Sequence, residues 1–375
     1  MSRKKVKEMI FAWIKQHCSY IDYLKITEKY RQLTSFAGKS ELDKSYIYSK
    51  AKKTPVYYVL RMTYPMMGLM AVARLYLFAA IWAEKQGFIP LVDFEYDSDF
   101  LSGRLNCNNL WTEVFEQPVT IDDAIKNGTV IAGTVNTVDG YDEATFAQIN
   151  GSCEDKMIMA CDGASGKEYY AKWNAWAQKY WRIRANITEE FEQNYGWLFS
   201  GNYRILGVMM REHFSKESRE KIKNEEHMKI LEIHPLLPSV EESLEYVKEY
   251  FEKWKCDYIF LGTIEEQTVK EFQKVFGEKV VYIQRRRNAI NDSKEDVQKD
   301  VFEMNGEEIK EMFPFEQANE CHRKYIMEIY GLSKCTFFAG AICSGTLAAL
   351  VMNGGKYQDT FLFPDYNPNS RYMKK

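Results

Sequence analysis

An α/β architecture is what the sequence predicts: two Rossmann-like, doubly wound parallel-sheet domains facing one cleft, with a helical N-terminal extension. Three observations predict it. From Tyr203 onward, short β-branched and aromatic runs alternate with amphipathic runs of helical length. An earlier strand–helix–strand unit stands between residues 56 and 94. The chain has 375 residues, 46% of them hydrophobic, which is enough for two buried cores. The expected boundaries are 1–54 for the extension, 55–200 for the first domain and 201–375 for the second.

The elements follow in chain order. VYYVL (56–60) reads as a strand, 66–85 as an apolar helix, Gln86-Gly87 as a turn and 88–94 as a buried strand. VTIDDA and TVIAGTV, within 120–200, resist a clear reading. The aromatic segment Tyr169–Trp181 has helical spacing, so its rings are either core or a platform for sugars. RILGVMM (204–210) is a strand, and Ser239 with Glu242 has capping-box spacing at the start of the helix 239–254. Strand 257–263, helix 265–277 ended by Gly277, and strand 279–283 come next. A helix near 316–333, strand 335–341, a helix from Ser344 as cap to Gly354 or Gly355, and strand 360–363 complete the alternation.

Formal charge is −3, from 50 Lys+Arg against 53 Asp+Glu, which argues against a protein built to coat nucleic acid. Residues 1–60 nevertheless hold 13 basic and 5 acidic residues, +8 by count. Such an arm is either a solvated extension or a peripheral contact with an anionic membrane face. Arg74 sits at the centre of the apolar run 66–83, where lipid would penalise it, so a helix inside a domain fits better. The eight cysteines form no C-x-x-C and no zinc-finger spacing, and no signal-peptide core follows the basic start. Reduced thiols in the cytosol are the expectation.

In open α/β sheets, ligands sit beyond the carboxyl ends of strands. In the second domain those ends carry Arg211, a guanidinium suited to holding phosphate, or else an ion-paired surface residue. They also carry Ser344, Gly345 and Thr346, a helix start that suits an anion, or else simple capping and close packing. Thr263, Glu265 and Glu266 follow another strand and either face a nucleoside or cap a helix. Asp97-Ser98-Asp99 has metal-holding spacing but equally suits a polar loop. Arg285-Arg286-Arg287 is concentrated positive charge that either touches a phosphate or an acidic glycan or, the favoured reading, is a solvated loop. No P-loop, G-x-G-x-x-G, G-x-S-x-G or H-E-x-x-H occurs.

Four segments together resemble one family. They are GLMAVARLYLFAAIWAEKQGFIPLVDFEYD, NLWTEVFEQP, RILGVMMREHFSK with HPLLPSVEESLEYVKE and CDYIFLGTIEE, and LSKCTFFAGAICSGTLAALVMNGGKY. The order of these segments is similar to that of bacterial relatives of GDP-fucose-dependent fucosyltransferases, the α1,6- and protein O-fucosyltransferase group of GT-B fold. It looks most like members encoded with surface-polysaccharide genes.

The resemblance implies metal-independent, inverting transfer of a sugar from a nucleotide diphosphate held mainly by the second domain, without a cofactor. The acceptor would be a glycan, free or lipid-linked. Arg211 falls on the arginine that binds the donor diphosphate and stabilises its leaving charge. Ser344, Gly345 and Thr346 fall on the phosphate-binding loop, Thr263 and Glu265 near the nucleoside, and Gly68 on the glycine-containing loop of the first domain. Phe214 stands where the pattern commonly has Asp. For the base, Asp93 and Glu95 from the first domain and Glu212 and His213 from the second stay open. Two other readings remain: a non-catalytic nucleotide or glycan binder, and another two-domain nucleotide-sugar enzyme such as an epimerase.

Overall fold

The computed structural model describes residues 54–63, 68–85, 87–95, 109–134, 163–220, 234–285 and 314–370. It also describes residues 9, 10, 13, 14, 17, 228, 231, 232, 308 and 311. The chain divides into two compact units. The first is Met1–Lys156 with Tyr180–Arg182 and Gln298–Glu320; the second is Met157–Lys179 with Ile183–Val297 and Cys321–Lys375.

In the first unit, β1 (Val56–Thr63), β2 (Ile89–Glu95) and β3 (Thr129–Thr134) form a parallel sheet of order β2-β1-β3. Helix α1 (Leu69–Lys85) crosses from β1 to β2 and is buried almost throughout, which is why its sequence reads apolar all round. Arg74 is only 8% exposed within it. No helix among the described residues is long and apolar enough to cross a membrane. The short helices α2 (Leu110–Val114) and α3 (Ile121–Asn127) follow, the latter capped by Thr120. This accounts for the VTIDDA and TVIAGTV segments.

The second unit opens with helices α4 (Gly163–Tyr180) and α5 (Ala185–Ser200). Tyr170 and Trp173 are buried, as core residues at helical spacing are, and Trp181 is buried in the first unit, its Nε1 donating to Ala73 O at 2.9 Å. Its five-stranded parallel sheet has the order β6-β5-β4-β7-β8. The strands are β4 (Ile205–Met209), β5 (Tyr258–Gly262), β6 (Val280–Tyr282), β7 (Phe337–Gly340) and β8 (Asp359–Leu362). The helices that cover it are α6 (Lys216–Glu220), α7 (Val240–Lys253), α8 (Glu266–Phe276), α9 (Phe315–Lys334) and α10 (Ser344–Asn353). Leu206, Val208, Ile259, Leu261, Val247, Phe272 and Phe337 form the core on one face. Both units are therefore parallel sheets with crossover helices, the predicted Rossmann-like class.

Local signals held where they rested on backbone chemistry. Ser239 and Glu242 form a reciprocal capping box. Gly277 and Gly354 end helices at positive φ, +60° and +67°. One expectation is corrected. The cap of α10 is Cys343, not Ser344: its buried Sγ accepts from the Thr346 N–H at 3.4 Å.

Candidate functional site

Strands β4, β5 and β7 are adjacent and end flush: Met209 is the register partner of both Gly262 and Gly340. Backbone bonds keep the three chains together one residue further. Met210 N donates to Gly262 O at 2.9 Å, and Ala341 N donates to Met209 O at 2.8 Å. Arg211, Thr263 and the Cys343–Gly345 turn thus leave the same edge of one sheet, where parallel folds place ligands.

Arg211 is half-buried and precedes a single 3-10 turn, Glu212–Phe214. Among the described residues no carboxylate pairs with it. Its charge is felt by the Tyr325 hydroxyl. At the tip of α10, the N–H groups of Ser344 and Gly345 precede the first helical bond, Leu347 N to Cys343 O. A Cβ on Gly345 would lie 2.5 Å from both Met209 Cε and Tyr325 Oη, so this position requires glycine. Thr346 is fully buried and donates its hydroxyl to Ala341 O at 2.5 Å. Of the two expected hydroxyls, Ser344, half-buried, is the one at the tip.

Thr263, 1% exposed, is a hub. Its hydroxyl donates to Glu212 Oε1 and accepts from Glu265 N at 3.1 Å. Its carbonyl accepts from Arg285 Nη2 at 2.9 Å. Glu265 occupies the N-cap position of α8 but makes no capping bond with its side chain. Glu212 is braced by Thr263 on one oxygen, and the other is buried.

Arg285 corrects the solvated-loop expectation. Its side chain is 7% exposed and grips Glu328, 0% exposed, through Nε–Oε1 at 3.0 Å and Nη2–Oε2 at 2.8 Å. Arg286 and Arg287 lie outside the described residues. His322, on the same face of α9, is pushed down to about 4 by burial first and by the Arg285 charge second. Phe214 turns its ring onto the apolar core, 5.3 Å from the His234 ring.

In the first unit, Asp93 is fully buried on β2, level with Arg61 of β1. Among the described strands β1 is central and β2 flanks it. Gly68 is exposed and its carbonyl starts α1, accepting from Ala71 N and Val72 N. Glu95 closes β2 and His213 lies in the 3-10 turn; the side chains of both lie outside the described part, as does the whole of Asp97–Asp99. Among the described residues no group of three or more His, Cys, Asp or Glu is placed to hold a metal ion.

Sequence reasoning found the three strand ends but missed the residues behind them. Arg285, Tyr325 and Glu328 carry the electrostatics of the site. Their one sequence signal is the spacing of His322, Tyr325 and Glu328 at three-residue steps along α9, His322 and Glu328 buried and Tyr325 half-buried.

The class these observations define is a pair of Rossmann-like units, the second with a polar strand-end site. No family model matches the chain, and no curated protein matches it. Among solved structures, NodZ α-1,6-fucosyltransferase soaked with GDP-fucose is similar at 12% identity and TM-score 0.41, over 80% of this chain and 93% of that one. Fucosyltransferase NodZ from Bradyrhizobium is similar at 14% identity and TM-score 0.41, over 79% and 92%. A mutant of Arabidopsis thaliana FUT1 in complex with GDP is similar at 8% identity and TM-score 0.42, over 93% of this chain and 80% of that one. Likenesses this faint, with TM-scores below 0.5, decide neither donor nor acceptor.

Proposed function

We propose that the chain is a glycosyltransferase that moves a sugar from a nucleoside diphosphate to a glycan acceptor. The observation that carries this reading is that Arg211 and the α10 tip follow two adjacent strands that end flush. A diphosphate needs a fixed cation and a set of N–H donors on one side, and this edge offers both. In the reaction, the acceptor hydroxyl oxygen attacks the anomeric carbon and the bond to the diphosphate breaks. The acceptor's proton passes to a base, and the diphosphate leaves with added negative charge. A guanidinium already in place is worth more to that leaving charge than to the intact donor. Glu212, braced by Thr263, is better suited to shaping the site than to reaching an acceptor. GDP and fucose are favoured by the sequence resemblance, and on this reading the basic segment 1–60 works near an anionic membrane face in the cytosol.

A second reading has its own observation: Phe214, where a catalytic-domain Asp is common, packs half-buried against the core. It makes the chain a nucleotide binder without turnover.

The test is thermal unfolding with GDP, UDP, ADP and dTDP. At a hundredfold excess over Kd, a bound nucleotide stabilises by about 2.7 kcal/mol, a rise of several degrees. Arg211→Ala is expected to remove that rise. If none of the four stabilises the wild type, the proposal fails. Binding without release or transfer of sugar from the matching donor would select the second reading.

A further inference from the structure

Beside the α10 tip stands a group that the reading above leaves without a task. Tyr325, on α9, holds its hydroxyl so close over Gly345 that any side chain there would collide with it. Among the described residues that hydroxyl has no hydrogen-bond partner, although its ring is well anchored. The Arg285 guanidinium lies 5.8 Å from the ring centre and is itself clamped by Glu328, one turn further along α9. The clamp also reaches β5 through Thr263 O. Three elements thus fix where Tyr325 points.

Arg211 and Arg285 act on the hydroxyl in favour of a negative neighbour, and Glu328, which Arg285 neutralises, and the Cys343 thiol act against it. Burial raises the Tyr325 pKa well above its ordinary value, against the pull of the two arginines, so the group stays a proton donor at any physiological pH. A hydroxyl that keeps its proton, beside an arginine and beside free helix-tip N–H groups, can donate to an anion.

We infer that Tyr325 is a further donor-site residue, whose hydroxyl donates a hydrogen bond to the terminal phosphoryl group of the nucleoside diphosphate seated between Arg211 and the α10 tip. The inference rests on the nucleotide-binding reading above and adds the residue that distinguishes a diphosphate from a monophosphate. Arg285 and Glu328 act through it, as the frame that holds the ring.

The experiment uses the full chain, with GDP and GMP as probes in calorimetric titrations, or the diphosphate and monophosphate of whichever base gives the largest stabilisation. Tyr325→Phe deletes the oxygen and leaves the ring under Arg285, so the unliganded melting temperature should stay at the wild-type value. The diphosphate Kd should rise about tenfold, as expected for a hydrogen bond to a charged group, while the monophosphate Kd changes less than twofold. Arg211→Ala should weaken both. Diphosphate affinity within twofold of wild type in Tyr325→Phe overturns the inference and leaves the nucleotide reading standing. Equal weakening of both nucleotides also overturns it. A wild type that binds neither probe removes the nucleotide reading itself, and this inference with it.

Discussion

The two sheets of this molecule use the same kind of residue for opposite ends. In the first unit, the polar residues around β2 complete the sheet. Asn109 Nδ2 donates to Val92 O at 2.7 Å, and its Oδ1 accepts from Phe94 N and Trp111 N, both at 3.0 Å. Gln117 Oε1 accepts from Val92 N at 3.2 Å. These side chains replace a neighbouring strand, and their hydrogen-bonding capacity is turned inward. In the second unit, Arg211 and Ser344 follow the flush ends of β4 and β7 and, among the described residues, their polar tips and the Tyr325 hydroxyl have no hydrogen-bond partner, while Thr263, Arg285 and Glu328 form a bonded frame behind the Tyr325 ring. A polar residue near a strand therefore indicates a binding edge only when the backbone around it is already satisfied.

The hardest test of that contrast is Glu328→Ala. It strands a buried guanidinium, so the chain should lose about 3–5 kcal/mol in denaturant unfolding, and nucleotide stabilisation should fall as well. An unchanged denaturation midpoint would show that the clamp is incidental to the second unit.

Acid should also act on the second unit first. His322 has a folded value of about 4 against an ordinary 6.5, so between those pH values the unfolded chain holds more protons. Stability contributed by the neutral ring is complete above pH 6.5. It declines as pH falls toward 4, by roughly 3 kcal/mol over the window. Hydrogen exchange should show β4–β8 losing protection before β1–β3, and His322→Asn should flatten the profile. Equal loss in both sheets would contradict the assignment.

The smallest effect belongs to Asn109→Ala. Loss of its buried bonds should cost about 2 kcal/mol in chemical denaturation. Nucleotide affinity, measured alongside, should match wild type. A change in that affinity would break the comparison from the other side.

How far the sequence could be read follows the same division. Strand and helix alternation after Tyr203, the Ser239–Glu242 capping box and the stops at Gly277 and Gly354 were legible because each depends on neighbours within a few residues. The strand ends were legible because topology alone puts Arg211, Thr263 and Ser344 on one edge. Arg285 was not: among three arginines it reads as solvated charge, and only a carboxylate 43 residues away makes its burial tolerable. Cys343 was passed over for Ser344 because a thiol is a weak acceptor, and here a dry environment lets it serve. Asn109 and Gln117 sit in a recognised segment, but nothing local reveals that they face a strand 15 to 25 positions earlier.

The Asn109–Gln117 cover has a consequence for self-association. A parallel sheet that displays bare amides along a flank is a template onto which a second copy can add a strand, and such pairing propagates. At Val92 and Phe94 the template is already occupied by amide side chains of the same molecule, so lateral growth from this flank requires them to be displaced first. Removing Asn109 therefore does more than soften the fold: it reopens a docking rail for intermolecular β-pairing, and light scattering during slow heating should reveal it before unfolding is complete.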